Sequence, residues 1–128
     1  MTYQYGVLLR NAKLNAINTE LGATATLKIW TGAEPANCAA ADPAGLLVTI
    51  TLPASPFAAA SGGAVALSGS WSAAASGSGT AASFRIYDSG AVCQIQGNVT
   101  TDLVLNNTSI VATQTVTVTS FGITAGNA

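Results

Sequence analysis

Histidine is absent from the 128 residues. With it go the usual general base, the commonest metal ligand and the Ser or Cys triads of nucleophilic catalysis. Charge is nearly as scarce. Asp, Glu, Lys and Arg make up 7% of the chain, against about 25% in an ordinary soluble domain. The inventory is Arg10, Lys13, Lys28 and Arg85 against Glu20, Glu34, Asp42, Asp88 and Asp102, a net charge of −1. So few cations cannot displace counterions from phosphates or hold an anionic membrane surface, so no nucleic-acid and no membrane partner is expected. Apolar runs are short, as at 46–52 and 115–123, and none approaches the ~20 residues of a membrane helix. Met1-Thr2-Tyr3-Gln4 shows neither a basic nor an apolar signal region. The expectation is a chain made in the cytoplasm and used there or packaged from there.

Cysteine is limited to Cys38 and Cys93. Without a secretion signal the expectation is two reduced, buried thiols, and their spacing says nothing about contact. The carboxylates are scattered. Glu34 and Asp42 share one loop, but nothing places them around a cleft as a hydrolytic pair, and with Asn37 they supply few oxygens for calcium. Ser76-Gly77-Ser78-Gly79-Thr80 lacks the lysine and spacing of a phosphate loop and reads as a flexible turn. The tripeptides beginning at Asn98, Asn106 and Asn107 match a glycosylation acceptor, but without secretion they are turn and strand-end residues. No enzyme, cofactor or metal site is expected.

What is present is pattern. Over 5–21, Val7, Leu14, Ile17 and Leu21 fall at helical spacing, with Leu8 and Ala12 beside them. Arg10, Lys13, Asn15 and Asn18 take the remaining positions, and Gly22 is a natural stop. From Thr26 onward the period changes to two. Leu27 and Ile29, Val48 and Ile50, Val65 and Leu67, Phe84 and Ile86, Leu103 and Leu105, and Val116 and Val118 each share a parity. Turn material separates these runs at 31–45, 53–63, 72–80 and 88–91, and the last is short enough for an antiparallel hairpin. The long 31–45 connection suits a crossing between sheets. Phe121 and Ile123 break the parity of Val116 and Val118, and a bulge near Thr119-Ser120 would restore one apolar face. The pattern implies a mainly β fold, an antiparallel β-sandwich (jelly-roll-like, seven to eight strands) with one N-terminal α-helix. An arm and helix over 1–25 and the sandwich over 26–128 form one structural domain.

A charge-poor surface resists association weakly. The strands at 46–52 and 115–119 carry no lysine, proline or inward charge of the kind that guards an edge. Both features predict a symmetric homo-oligomer, a dimer or trimer. Candidate interface residues are Tyr3 and Tyr5 on the N-terminal arm and the outward-parity group Lys28, Trp30, Arg85 and Tyr87. Phe121 and Ile123 join them if no bulge forms. Trp71 shares its parity with Val65 and Leu67 and is assigned to the core.

The segments Leu8-Leu9-Arg10-Asn11-Ala12-Lys13-Leu14, Leu27-Lys28-Ile29-Trp30-Thr31-Gly32-Ala33 and Pro35-Ala36-Asn37-Cys38-Ala39-Ala40 resemble small structural proteins of tailed bacteriophages and prophages. So do Phe84-Arg85-Ile86-Tyr87-Asp88, Cys93-Gln94-Ile95-Gln96-Gly97 and Leu105-Asn106-Asn107-Thr108-Ser109-Ile110. By analogy with capsid cement proteins, the resemblance implies a decoration protein on the capsid exterior, with the major capsid protein and further copies of itself as partners. A tail or baseplate component is the structural alternative. A β-sandwich carbohydrate- or receptor-binding module is the alternative of another class, with Trp30, Lys28 and Glu34 as its platform.

Overall fold

The computed structural model describes residues 4–125, so Tyr3 lies outside the described residues. Helix α1 (Val7–Leu21) begins slightly later than the spacing suggested and stops at Gly22. Gly22 has φ 79° and returns its N–H to the Asn18 carbonyl at 3.2 Å. A Cβ at Gly22 would stand 2.3 Å from Ser89 Oγ, so both the backbone angle and the close approach call for glycine.

Only Leu14 and Leu21 of α1 reach the core, with Ile17 packed against it; Val7, Leu8 and Leu9 are exposed. The helix is docked instead by its asparagines. Asn18 donates from Nδ2 to the Phe57 carbonyl at 2.8 Å and accepts the Phe57 N–H on Oδ1 at 3.1 Å. Asn15 Oδ1 accepts from Ala60 N–H at 2.8 Å and Asn11 Oδ1 from Gly63 N–H at 2.9 Å. Positions 11, 15 and 18 lie on one helix face, so three amides serve the backbone of 57–63 as a neighbouring strand would.

The strands are β1 (Thr26–Trp30), β2 (Leu46–Thr51), β3 (Ala64–Ala66), β4 (Ser72–Ala74), β5 (Gly79–Thr80), β6 (Ser83–Tyr87), β7 (Cys93–Asn98), β8 (Leu103–Leu105), β9 (Ser109–Ile110) and β10 (Thr115–Thr124). One antiparallel sheet has the order β2-β1-β6-β7. The other is built on β10, which pairs with β3 and β4 along one edge and β8 along the other, while β5 and β9 form a small ribbon. The result is a mainly β, antiparallel, sandwich-like fold with one helix. The ten strands among the described residues exceed the expected seven or eight. The extra ones, β4 and β5, lie in the Ser/Ala/Gly stretch 72–80, whose small side chains carry no alternation to read.

Two local expectations about strand pairing match what forms. Residues 88–91 turn β6 into β7, with Asp88 Oδ1 accepting the N–H groups of Gly90 and Val92 at 2.9 and 3.0 Å. The register of β10 against β8 shifts between Val118 and Ser120, and this bulge brings Phe121 to the buried side with Val116 and Val118. Phe121 then meets Phe84 of the facing sheet edge-on, centroids 5.3 Å apart and planes at 77°. Trp71 and Phe57 complete the aromatic cluster, their centroids 5.4 Å apart at 80°. Trp71 is fully buried, as its parity required, and its indole N–H donates to the Ser68 carbonyl at 3.1 Å.

Connection 31–45 departs from expectation. It joins β1 to β2, which are neighbours in one sheet, and therefore does not cross between sheets. Its ends are clamped by Thr31 N–H to the Gly45 carbonyl at 2.9 Å and Gly32 N–H to the Ala44 carbonyl at 3.0 Å. The length between these clamps folds over the outer face of the sheet.

Candidate functional site

Lys28, Trp30, Arg85 and Tyr87 were assigned outward parity, and they do leave the sandwich core on the far face of the β2-β1-β6-β7 sheet. Lys28 is half-buried there, and the other three do not reach solvent as contact residues. Trp30 is 7% exposed, Arg85 2% and Tyr87 6%. Strand β6 is buried on both faces, with Phe84 and Ile86 in the sandwich core and Ser83, Arg85 and Tyr87 beneath loop 31–45.

The loop is held there by polar chemistry. Arg85 Nη1 forms an ion pair with Asp42 Oδ1 at 2.8 Å, and Nη2 donates to the Asn37 carbonyl at 2.9 Å. Arg85 Nε and Nη2 share Gln96 Oε1 at 3.2 and 3.1 Å, while Gln96 Nε2 donates to the Pro35 carbonyl at 2.7 Å. The Tyr87 hydroxyl donates to Asp42 Oδ1, and Ser83 Oγ to the Gly32 carbonyl at 2.7 Å. Lys28 Nζ lies 5.2 Å from the Tyr87 ring centroid. The hydrogen bond from Tyr87, helped by Arg85 and opposed by desolvation, lowers the Asp42 pKa below its ordinary value. Burial, then the Asp42 carboxylate, raises that of the Tyr87 phenol, so it remains a donor. An aromatic and cationic cluster that looked like an intermolecular contact is thus an intramolecular clasp.

A separate feature has the shape of a binding site. A groove of about 900 Å³ lies between β7 and the C-terminal end of β10. Phe84 and Phe121 form its base, Gln94, Ile95 and Gln96 one wall, and Gly122, Ile123 and Thr124 the other. Ile17, Glu20 and Leu21 of α1 border it, as do Thr101 and Asp102 and the loop residues Asn37 and Cys38.

Both walls are strand edges. Asn98 gives its N–H to Asp102 Oδ2 at 2.8 Å and its carbonyl to Asp102 N–H at 3.0 Å, so its backbone faces away from β6. By the alternation of a strand, the N–H and C=O of Gln96 face the same way. Across the groove, the Phe121 carbonyl accepts from Leu67 N–H at 3.0 Å, and Ala125 N–H donates to the Gly63 carbonyl at 2.9 Å. The backbone of Gly122 and Thr124 between them therefore points the other way, past Leu103, where β8 pairing stops. Among the described residues strand β7 pairs only with β6, so the groove offers peptide groups on two sides above an aromatic base.

No family model, curated protein or solved structure matches this chain. What the groove can do follows from its chemistry. Paired donors and acceptors along a strand edge recognise an extended peptide backbone, and the apolar base takes alternate side chains. Glu20 and Asp102 are its charged lining residues, so the site suits an uncharged or singly basic segment.

Of the residues marked from sequence, Phe121 and Ile123 do line this groove, the first at its base and the second half-buried on its wall. Tyr5 is half-buried beneath Lys13, whose Nζ is 4.3 Å from the ring centroid. Gln94 and Gln96 were not marked, because a glutamine at alternate positions reads as an ordinary solvent face. Nor did the thiols take their expected place: both are half-buried, on loop 31–45 and on β7, and Cys38 lines the groove. Among the described residues no group of three or more Cys, Asp or Glu gathers to hold a metal, and no helix is long and apolar enough to cross a membrane.

Proposed function

We propose that this chain is a structural protein of a bacteriophage particle, most economically a capsid cement protein that self-associates and binds the major capsid shell. The observation that carries the proposal is the groove between β7 and β10, whose two strand edges fit an extended segment of a neighbouring subunit. Three further features support it. The surface has few charges to oppose close packing, the first turn of α1 leaves Leu8 81% exposed, and the sequence resembles small structural proteins of tailed phages. Stabilisation in this reading is mechanical. Strand pairing and apolar burial at about 25 cal/mol per Å² are modest at one site and accumulate over a lattice. The glycan-binding alternative loses its platform, because Trp30 is buried.

The test is to locate the chain in purified particles by electron microscopy and mass spectrometry and to measure the mass of the isolated protein by light scattering. Hundreds of copies on the head support the cement reading, and a few or a few dozen copies in the tail replace it with the baseplate one. A solitary monomer absent from every particle overturns both.

A further inference from the structure

The thiols of Cys38 and Cys93 were expected to be independent, and the fold brings them together. Cys93 stands opposite Tyr87 on β7, and its thiol donates weakly to the Ile95 carbonyl at 3.5 Å. Loop 31–45 is tied to the same two strands on either side of Cys38. The Pro35 and Asn37 carbonyls are bound by Gln96 and Arg85, and Asp42 by Arg85 and Tyr87. Cys38 directly follows Asn37, whose carbonyl is held by Arg85 on the strand that pairs with β7, and the Cys38 thiol is, after burial, a cause of the raised Cys93 pKa. Both are free and half-buried.

We propose that Cys38 and Cys93 are a cross-link site, oxidised by a small-molecule disulfide to an intrachain bond that fastens loop 31–45 to β7. The Cys38 thiolate attacks one sulfur of the oxidant, whose S–S bond breaks and releases one thiolate. Cys93, deprotonated, then attacks Cys38 Sγ, breaking the mixed disulfide and releasing the second small thiolate. Two protein thiols lose two protons and two electrons, and the oxidant becomes two thiols. Cys38 is the first nucleophile because it lies on the loop at the groove rim. Burial, and then the neighbouring thiol, hold the Cys93 thiol well above its ordinary ionisation range. The bond would make permanent what the Arg85 clasp does reversibly, and it would fix the rim of the groove on the β7 side.

The experiment uses the full chain, incubated with oxidised glutathione or with dithiothreitol. The expected oxidised product has lost two hydrogens by intact mass, has no titratable thiol, and yields a single peptide pair joining positions 38 and 93. Its melting temperature rises by about 10 °C, reversed by reductant. Cys38→Ser and Cys93→Ser proteins, confirmed folded by circular dichroism, show no such response. Stable glutathione adducts, disulfide-linked dimers, or an intrachain bond that leaves the melting temperature unchanged would each overturn the proposal. None of these outcomes depends on whether the chain is a virion component.

Discussion

Arg85 is the residue on which the outer face of the β2-β1-β6-β7 sheet turns. A guanidinium only 2% exposed is tolerable because each of its three nitrogens has an acceptor, one of them a carboxylate. Asp42→Ala removes that carboxylate and strands the buried charge. It should lower unfolding free energy by about 2 kcal/mol in urea titrations, since hydrogen bonds to charged groups are the stronger kind. The pH dependence has a definite sign. The folded-state pKa of Asp42 is depressed, chiefly by Tyr87 and then Arg85, so its contribution is complete above the ordinary value of 3.8 and fades as pH falls through the lower folded value. Asp88 is depressed too, by the Val92 N–H and then Gln94, and contributes in the same direction. Urea midpoints measured from pH 6 to pH 2 should therefore fall below pH 4, less steeply in Asp42→Ala, with the Asp88 part remaining. A variant that keeps the full wild-type acid slope would remove Asp42 from this account.

At the scale of elements, α1 and the β10 bulge show two different routes from sequence to position. The bulge is written in parity, because four large residues must share one face and cannot do so without an extra residue. Deleting Thr119, the extra residue of the bulge, should therefore be mild. It leaves Val118 and Phe121 two positions apart, so a regular register keeps Phe121 and Ile123 on the buried face at a cost under about 1 kcal/mol, whereas Phe121→Ala should cost about 3–5 kcal/mol. A Thr119 deletion that lowers the melting temperature as much as Phe121→Ala would show that the bulge does more than restore the parity. The helix is written in no such code. Its apolar stripe was legible, yet half of that stripe stays exposed, and the docking is done by Asn11, Asn15 and Asn18, which any periodicity argument assigns to solvent. Asn18→Ala leaves the Phe57 N–H and carbonyl without partners and should cost about 1–3 kcal/mol, whereas Lys13→Ala should cost under about 0.5 kcal/mol. The same blindness hid the Arg85 clasp. Alternation places Lys28, Arg85 and Tyr87 on the face away from the core, but a loop without regular structure covers that face, and loop conformation has no period to read. Strands and hairpin were legible because burial repeats every two residues; the groove was not, because it is a gap between elements distant in the chain.

For the whole molecule, the question is whether the groove between β7 and β10 is a fault in the sandwich or a socket. A monomer with two facing strand edges and exposed Leu8, yet with few charges to keep copies apart, invites pairing unless that pairing is its use. Thr124→Pro separates these possibilities. The Thr124 N–H points into the groove and not toward β3, so proline removes a donor that an incoming strand would use without breaking a β3 hydrogen bond. Folding stability should change by less than about 1 kcal/mol, as for an edge substitution away from core packing. If the proposed cement role holds, binding to shells should fall by about tenfold, the equivalent of one lost hydrogen bond near 1.4 kcal/mol. The measurement is co-sedimentation of the purified variant with particles stripped of this protein, alongside urea unfolding of the same sample. Undiminished binding by a folded Thr124→Pro protein would mean the partner is held elsewhere, with the exposed first turn of α1 as the surface to mutate next. Weakened binding with unchanged unfolding would assign the loss to the socket, because the hydrogen bond removed is one that the isolated chain does not make.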